Sequence, residues 1–268
     1  MIFFLHIPKT AGTTFQFILE NSLGMTHCHL GHLGYKVADQ RDFDFARKFF
    51  PWMRGIAGEN LFDPLRFSVP DPFYITFLRE PVARVFSHYQ DRVLRSRAPQ
   101  TFEQMLATDE ILENTQVKRL AGKADLDRAK MVLEKFNFVG LTERFELSLH
   151  ILKKICPTKL NYNYMRKVTA RDNSIKKSLE SDARIVDMTR EKNCLDLKLY
   201  EFAVTEIFPK FCAQTGFSPT DKVASFDKYT SELRPHFLAH RLYNQTFFRN
   251  VCKVYKKRRL REKKRPAA

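Results

Sequence analysis

The chain has 268 residues, 44% of them hydrophobic, enough for a packed core and too many for a chain disordered throughout. Its 46 Lys and Arg against 30 Asp and Glu leave a net charge of +16, and residues 253–265, with nine Lys or Arg against one Glu, supply +8 of it. The remaining, mildly basic body suits an anionic ligand, while Tyr255 alone among those terminal charges falls short of the aromatic interleaving expected of a nucleic-acid surface.

In chain order, the apolar run Ile2–Leu5 reads as a buried parallel strand, broken into a loop by Pro8 and Gly12. Thr13 or Thr14 then caps a helix running to about Asn21. His27–Tyr35 has no period and reads as a loop; Ala38–Phe50 reads as a helix ended by Pro51. Phe73–Leu78 is the second strong strand, and Val82–Leu94 a helix with Pro81 at its start. Thr101–Phe136 is helical with breaks near Thr108 and Gly122, Phe138–Gly140 is a short strand, and Thr142 caps the helix carrying Leu147, Ile151, Leu152 and Ile155. Asn161–Ser181 reads as a polar loop or flap, and Leu195–Cys212 as an amphipathic helix. The signal fades after Gly216. Strands alternating with helices imply an α/β fold, with residues 1–250 as one domain and 251–268 as a basic tail.

Five cysteines, at 28, 156, 194, 212 and 252, have neither disulfide-framework nor zinc spacing and fit a reducing compartment. No run of about 18 apolar residues occurs, and Met1–Leu5 is too short for a signal sequence. The sequence therefore leads us to expect a soluble, cytoplasmic protein.

Two segments carry chemistry. The first, His6-Ile7-Pro8-Lys9-Thr10-Ala11-Gly12-Thr13-Thr14, joins strand to helix. Helix-start N–H groups, the Lys9 charge, the hydroxyls of Thr10, Thr13 and Thr14, and the close backbone approach allowed at Gly12 make an anion site. Lys9 precedes the glycine, so this is not the GxxxxGK[ST] loop of nucleoside triphosphatases. The second segment places Arg79 at the carboxyl end of a strand, with Ser87 two helical turns beyond Pro81. Arg79 offers a planar donor fork for a phosphate. Taken singly, each segment also fits a plain strand-to-helix turn or a structural ion pair.

Together the two segments resemble the cofactor segments of the sulfotransferases that use 3′-phosphoadenosine 5′-phosphosulfate (PAPS). Lys9 and Thr13-Thr14 match the 5′-phosphosulfate loop, and Arg79 and Ser87 match the 3′-phosphate segment. Asn114-Thr115-Gln116, Leu120-Ala121-Gly122, Val139–Phe145 and Asp196–Tyr200 resemble the carbohydrate, 2-O-sulfotransferase-like branch. The resemblance implies a P-loop-like three-layer fold, a central mostly parallel sheet flanked by helices. It implies PAPS as co-substrate, held by Lys9, Thr10, Ala11, Gly12, Thr13, Thr14, Arg79 and Ser87, and no metal. It also implies a hydroxyl of a glycan or glycolipid as acceptor.

His27-Cys28-His29-Leu30-Gly31-His32 gathers three imidazoles without a metal-ligand spacing. Composition does not rank His32 above His29; the family's Gly-His pair, matched by Gly31-His32, implies His32 as general base. Lys9 would then stabilise the charge growing on the departing 5′-phosphate. Gln116 and Arg119 are candidates for adenine contacts, and the basic tail for contact with an anionic membrane. The rivals are a nucleotide-dependent small-molecule kinase and a basic nucleic-acid-binding protein; the set Lys9, His32, Arg79 and Ser87 argues against both.

Overall fold

The computed structural model describes residues 1–33, 37–95, 100–164, 174–226 and 233–264, with 262–264 as backbone only. Five strands form one sheet: β1 (Ile2–Leu5), β2 (His27–His29), β3 (Gly55–Gly58), β4 (Phe73–Leu78) and β5 (Phe138–Leu141). Their order is β2-β3-β1-β4-β5, and every neighbouring pair is parallel. All carboxyl ends therefore share one edge. β1 sits in the middle; the chain goes first to the edge strand β2, returns inward through β3, and then crosses to β4 and outward to β5. The carboxyl end of β1 is the switch point at which open α/β sheets take ligands.

Phenylalanines fill both faces. Phe4 and Phe77 meet Phe15 on one side, with Phe145 against Phe77. Phe3 meets Phe67 and Tyr74 on the other, with Phe136 against Tyr74. Alternation along parallel, doubly covered strands gives this three-layer arrangement.

The helices are α1 (Gly12–Leu23), α2 (Gln40–Phe49), α3 (Pro81–Arg95), α4 (Phe102–Thr108), α5 (Thr115–Ala121), α6 (Leu126–Glu134), α7 (Phe145–Ile155), α8 (Ser174–Ser181), α9 (Ala183–Lys192), α10 (Cys194–Phe202), α11 (Phe208–Thr215), α12 (Pro235–Tyr243) and α13 (Arg249–Lys264). Reciprocal capping boxes, Asp39 with Asp42 and Thr101 with Gln104, start α2 and α4.

The structure differs from the sequence reading in several places. His27–His29, read as loop, is β2, an edge strand paired to β3. Thr142 caps nothing: its Oγ1 donates to the Leu78 carbonyl at 3.0 Å and ties β5 to β4. Leu195–Cys212 is not one regular helix, because a π-helical turn (Ala203–Ile207) separates α10 from α11. α8 occupies the end of the expected flap, whose residues 165–173 lie outside those described.

Beyond Gly216 the chain folds back. Phe237 packs on Phe17, Cys252 is buried, and the Tyr255 ring stacks on Phe45 at 3.7 Å. Arg259 pairs with Asp39. α13 thus runs across residue 250 as one helix. Among the described residues, no helix is long and apolar enough to cross a membrane.

His27 ties this return to the sheet. Its ring lies 3.3 Å from Gln16 Nε2, and His240 Nε2 reaches its carbonyl at 2.8 Å. Burial, reinforced by His240, pushes its pKa down to about 3, so the folded ring stays neutral. The unfolded chain takes up that proton below about pH 6.5 while the folded chain does not. Stability should therefore fall as pH drops from about 6.5 toward 4. Urea midpoints at pH 7 and pH 5 check this, and His27→Gln should flatten the difference.

Candidate active site

At the carboxyl end of β1 the backbone takes an uncommon course. Lys9 (φ 68°) and Ala11 (φ 63°) are both left-handed, a conformation that costs a side-chain-bearing residue roughly 1–3 kcal/mol unless its surroundings impose it. Thr10 between them is fully buried, and its Oγ1 donates to the Ile7 carbonyl at 2.9 Å. Thr10 is thus a brace inside the loop and does not line the cavity above it. The Ala11 carbonyl accepts from Thr14 N and Phe15 N, which starts α1 without a side-chain cap. Thr13 and Thr14, expected as caps, stand instead in the first turn, where with Ala11 and Gly12 they line the cavity.

Gly12 has a steric reason to be glycine. A Cβ there would lie 1.9 Å from Cδ2 of His6. The buried His6 ring, stacked on Phe4, fills that space, and its Nε2 lies 3.4 Å from Glu59 at the end of β3. The glycine therefore makes room for a neighbouring ring.

Arg79 ends β4. Its Nη1 donates to the Lys9 carbonyl at 3.0 Å, and its buried Nε has no hydrogen-bond partner among the described residues. Burial holds its pKa below the ordinary guanidinium range. Gln116 grips the Arg79 backbone twice: Oε1 accepts from Arg79 N at 2.9 Å, and Nε2 donates to Arg79 O at 2.8 Å. Each end of this buried amide holds the Arg79 backbone, so Gln116 positions Arg79, and it does not line the cavity. Arg119, the other adenine candidate, lies with its guanidinium 4.0 Å from the Phe62 ring centre.

These parts enclose one cavity of about 920 Å³. α3 contributes Ser87, His88, Asp91 and Arg95; the β5–α7 connection contributes Thr142–Leu147; Tyr164 and Asp221–Val223 close another side. Lys9, Arg79 and Ser87, assigned separately from the sequence, all line it.

Five cations line the cavity (Lys9, Arg79, Arg95, Arg144, Lys222) with five acids (Glu59, Asp91, Glu143, Glu146, Asp221). Each acid is already engaged. Asp91 lies 3.5 Å from Lys9 and 3.0 Å from Arg95. Glu143 accepts from Glu80 N and the Tyr200 hydroxyl. Glu146 accepts from the hydroxyls of Tyr164 and Ser225 and from Phe226 N, and Asp221 from Ser218 N. Glu59 faces His6. Burial pulls the Lys9 pKa down, and Asp91 opposes that shift.

His32 does not line this cavity. It stands beyond β2, its ring 5.1 Å from that of His29 and 6.3 Å from that of Phe248, with Nδ1 3.5 Å from Arg249 Nε. Burial and the Arg249 charge push its pKa down to about 4. His27 points into the core, and among the described residues no three His, Cys, Asp or Glu side chains gather as a metal site.

The model of the sulfotransferase family matches residues 1–203, three quarters of the chain. The chain belongs to the sulfotransferase family. The matched part carries Lys9, Arg79, Ser87 and the Gln116 clamp. A sulfotransferase structure from Alicyclobacillus acidocaldarius is similar at 16% identity and a TM-score of 0.43, over 74% of this chain and 98% of that one. No curated protein matches at the level of sequence.

The sulfotransferase's own contacts explain the stretches that resembled the carbohydrate branch. Asp196 accepts from Gln116 N and Val117 N and so holds the start of α5. Asn114 accepts from Leu195 N and Asp196 N, while Tyr200 holds Glu143. The sequence reading missed Glu59, which follows a strand with no pattern of its own. It also missed Asp91, although Asp91 lies one helical turn beyond Ser87 and so on the same face.

Gly12→Ala should lower the unfolding free energy by about 1–3 kcal/mol, because the new methyl group must displace the His6 ring. Chemical denaturation of the two proteins measures it.

Proposed function

We propose that this sulfotransferase moves the sulfuryl group of PAPS to a hydroxyl of a carbohydrate or glycolipid acceptor. The observation that carries the reading is convergence: the Lys9 loop and the Arg79–Ser87 pair open onto one cavity. The fit to a nucleotide with two anionic groups rests on the Nε of Arg79, which has no partner among the described residues, on the start of α1, and on acids that already face donors within the chain.

In this reading Arg79 and Ser87 hold the 3′-phosphate, and Lys9 with Ala11, Gly12, Thr13 and Thr14 holds the 5′-phosphosulfate. The acceptor oxygen forms a bond to sulfur as the bond from sulfur to the bridging phosphate oxygen breaks. The acceptor proton goes to a carboxylate or imidazole of the chain, and the bridging oxygen leaves with adenosine 3′,5′-bisphosphate. Lys9 offsets the charge that grows on that oxygen. Positioning and electrostatics carry the rate, as in phosphoryl transfer.

For the proton acceptor, the lining of the cavity favours Glu59. It stands at the end of β3, and His6 lies 3.4 Å away. The second reading is His32, on its match to the family's Gly-His pair; its ring is neutral at pH 7, but Nδ1 already accepts from Arg249 Nε and a pKa of about 4 makes it a weak base.

Two measurements test these assignments. Adenosine 3′,5′-bisphosphate should raise the melting temperature more than ATP with magnesium, because ligand binding stabilises the folded state, and Arg79→Ala should abolish the preference. An equal or larger effect of ATP with magnesium would favour a kinase instead. Glu59→Gln should cut turnover roughly 10²–10⁴-fold with bisphosphate affinity retained, while His32→Ala loses less. The reverse order would assign the base to His32.

A further inference from the structure

The outer face of the C-terminal helices is built unlike an ordinary solvent face. α12, the π-helical turn Asn244–Phe248 and α13 form one continuous helical stretch. Its inner edge is buried through Phe237, His240, Asn244, Phe248, Cys252 and Arg259. On the other side stand Leu238 (54% exposed), Leu242 (63%), Phe247 (47%) and Val254 (70%). The spacings are four, five and seven residues. The five-residue step crosses the π turn, which takes more residues per turn than an α-helix, so Phe247 stays on the side of Leu242. A continuous outward row of large apolar side chains departs from the usual pattern, in which exposed apolar residues stand singly.

Cations stand among these residues: Arg241, Lys253, Lys257, Arg258 and Arg261 are all exposed. Trp52 is the single tryptophan of the chain and is 82% exposed. It sits in the turn after α2, where Phe50 meets the Tyr243 ring at 5.7 Å and the Tyr243 hydroxyl donates to the Phe49 carbonyl. Phe49 in turn meets Phe247. The tryptophan turn and the helix row thus belong to one end of the molecule.

We infer that this face docks on an anionic lipid bilayer, with Leu238, Leu242, Phe247 and Trp52 entering the headgroup region and the lysines and arginines of α13 meeting the lipid charge. Charge complementarity selects this occupant. Residues 253–265 hold nine Lys or Arg against one Glu, so a second copy of the same face would be repelled. Nucleic-acid phosphates would leave the apolar row uncovered. A bilayer surface satisfies both parts, since apolar side chains and basic residues act together at the interface and tryptophan favours that depth. The face packs on the β2 side of the sheet, through α1, α2 and His27. The cavity opens over β1, β4 and β5. Docking therefore leaves the cavity open, and the inference stands independently of the donor assignment.

The test is co-sedimentation of the full chain with vesicles of phosphatidylcholine alone or with about 30% phosphatidylserine, at low and physiological salt, alongside Trp52 fluorescence. Anionic vesicles should sediment the protein and shift Trp52 emission to the blue, and neutral vesicles should do neither. Leu242→Ser with Phe247→Ser should weaken binding, and Lys257→Glu with Arg261→Glu should weaken it at least tenfold. Leu242, Lys257 and Arg261 are exposed and Phe247 meets the rings of Phe49 and Tyr243, so the charge variant should keep its melting temperature and sulfuryl transfer, and the serine variant its sulfuryl transfer at a slightly lower melting temperature. Three results would overturn the inference: no sedimentation with anionic vesicles at low salt; full binding by the serine variant, which reduces the face to electrostatic adhesion; or a concentration-dependent dimer that the serine variant loses, which makes the occupant a second copy.

Discussion

The hydrogen bond from the Arg79 guanidinium to the Lys9 carbonyl joins the ends of two adjacent strands, and the site is arranged around it. Lys9 and Ala11 are held in left-handed backbone, which a free loop would abandon. Arg79 can hold them only because its own backbone is fixed. Gln116 fixes it with both ends of its amide, and Asp196 fixes Gln116 through two backbone N–H groups. A buried carboxylate on α10 thus orders the Lys9 loop about 190 residues earlier in the chain. Burial pushes the Asp196 pKa up, against the pull of Arg84 and the two N–H donors.

The parts of the site that rest on strong local signals were legible in the sequence. β1 and β4 are apolar runs closed by turns, α3 begins with proline, and Lys9, Arg79 and Ser87 belong to short segments with recognisable chemistry. β3 was not legible. Gly-Ile-Ala-Gly is short, with a single β-branched residue between two glycines and an alanine, and it becomes a strand because β1 and β2 flank it. Glu59 was lost with it, since a single acid after an unseen strand carries no signal. Gln116 and Asp196 were visible only as family-like stretches, because their roles exist through contacts some 80 residues apart. The C-terminal return was hidden by composition: the charges of 253–265 outweigh a buried row spaced three or four residues apart.

The family match ends at residue 203, yet the cavity does not. Asp221, Lys222 and Val223 line it, and Glu146 at the start of α7 anchors the segment that follows through Ser225 and Phe226. The matched portion supplies the strand ends and the anion loop. The last quarter of the chain supplies a wall of the cavity and the covering of the β2 edge.

The pair between Lys9 and Asp91 has a consequence for traffic through the site. Within the chain the lysine already has a counter-ion, itself bridged to Arg95. On the proposed reading, the donor's phosphosulfate exchanges with a carboxylate that belongs to the protein, and the carboxylate returns as the bisphosphate departs. Entry and exit then become a swap of partners around one cation. Such an exchange lowers affinity for the donor and speeds release of the product.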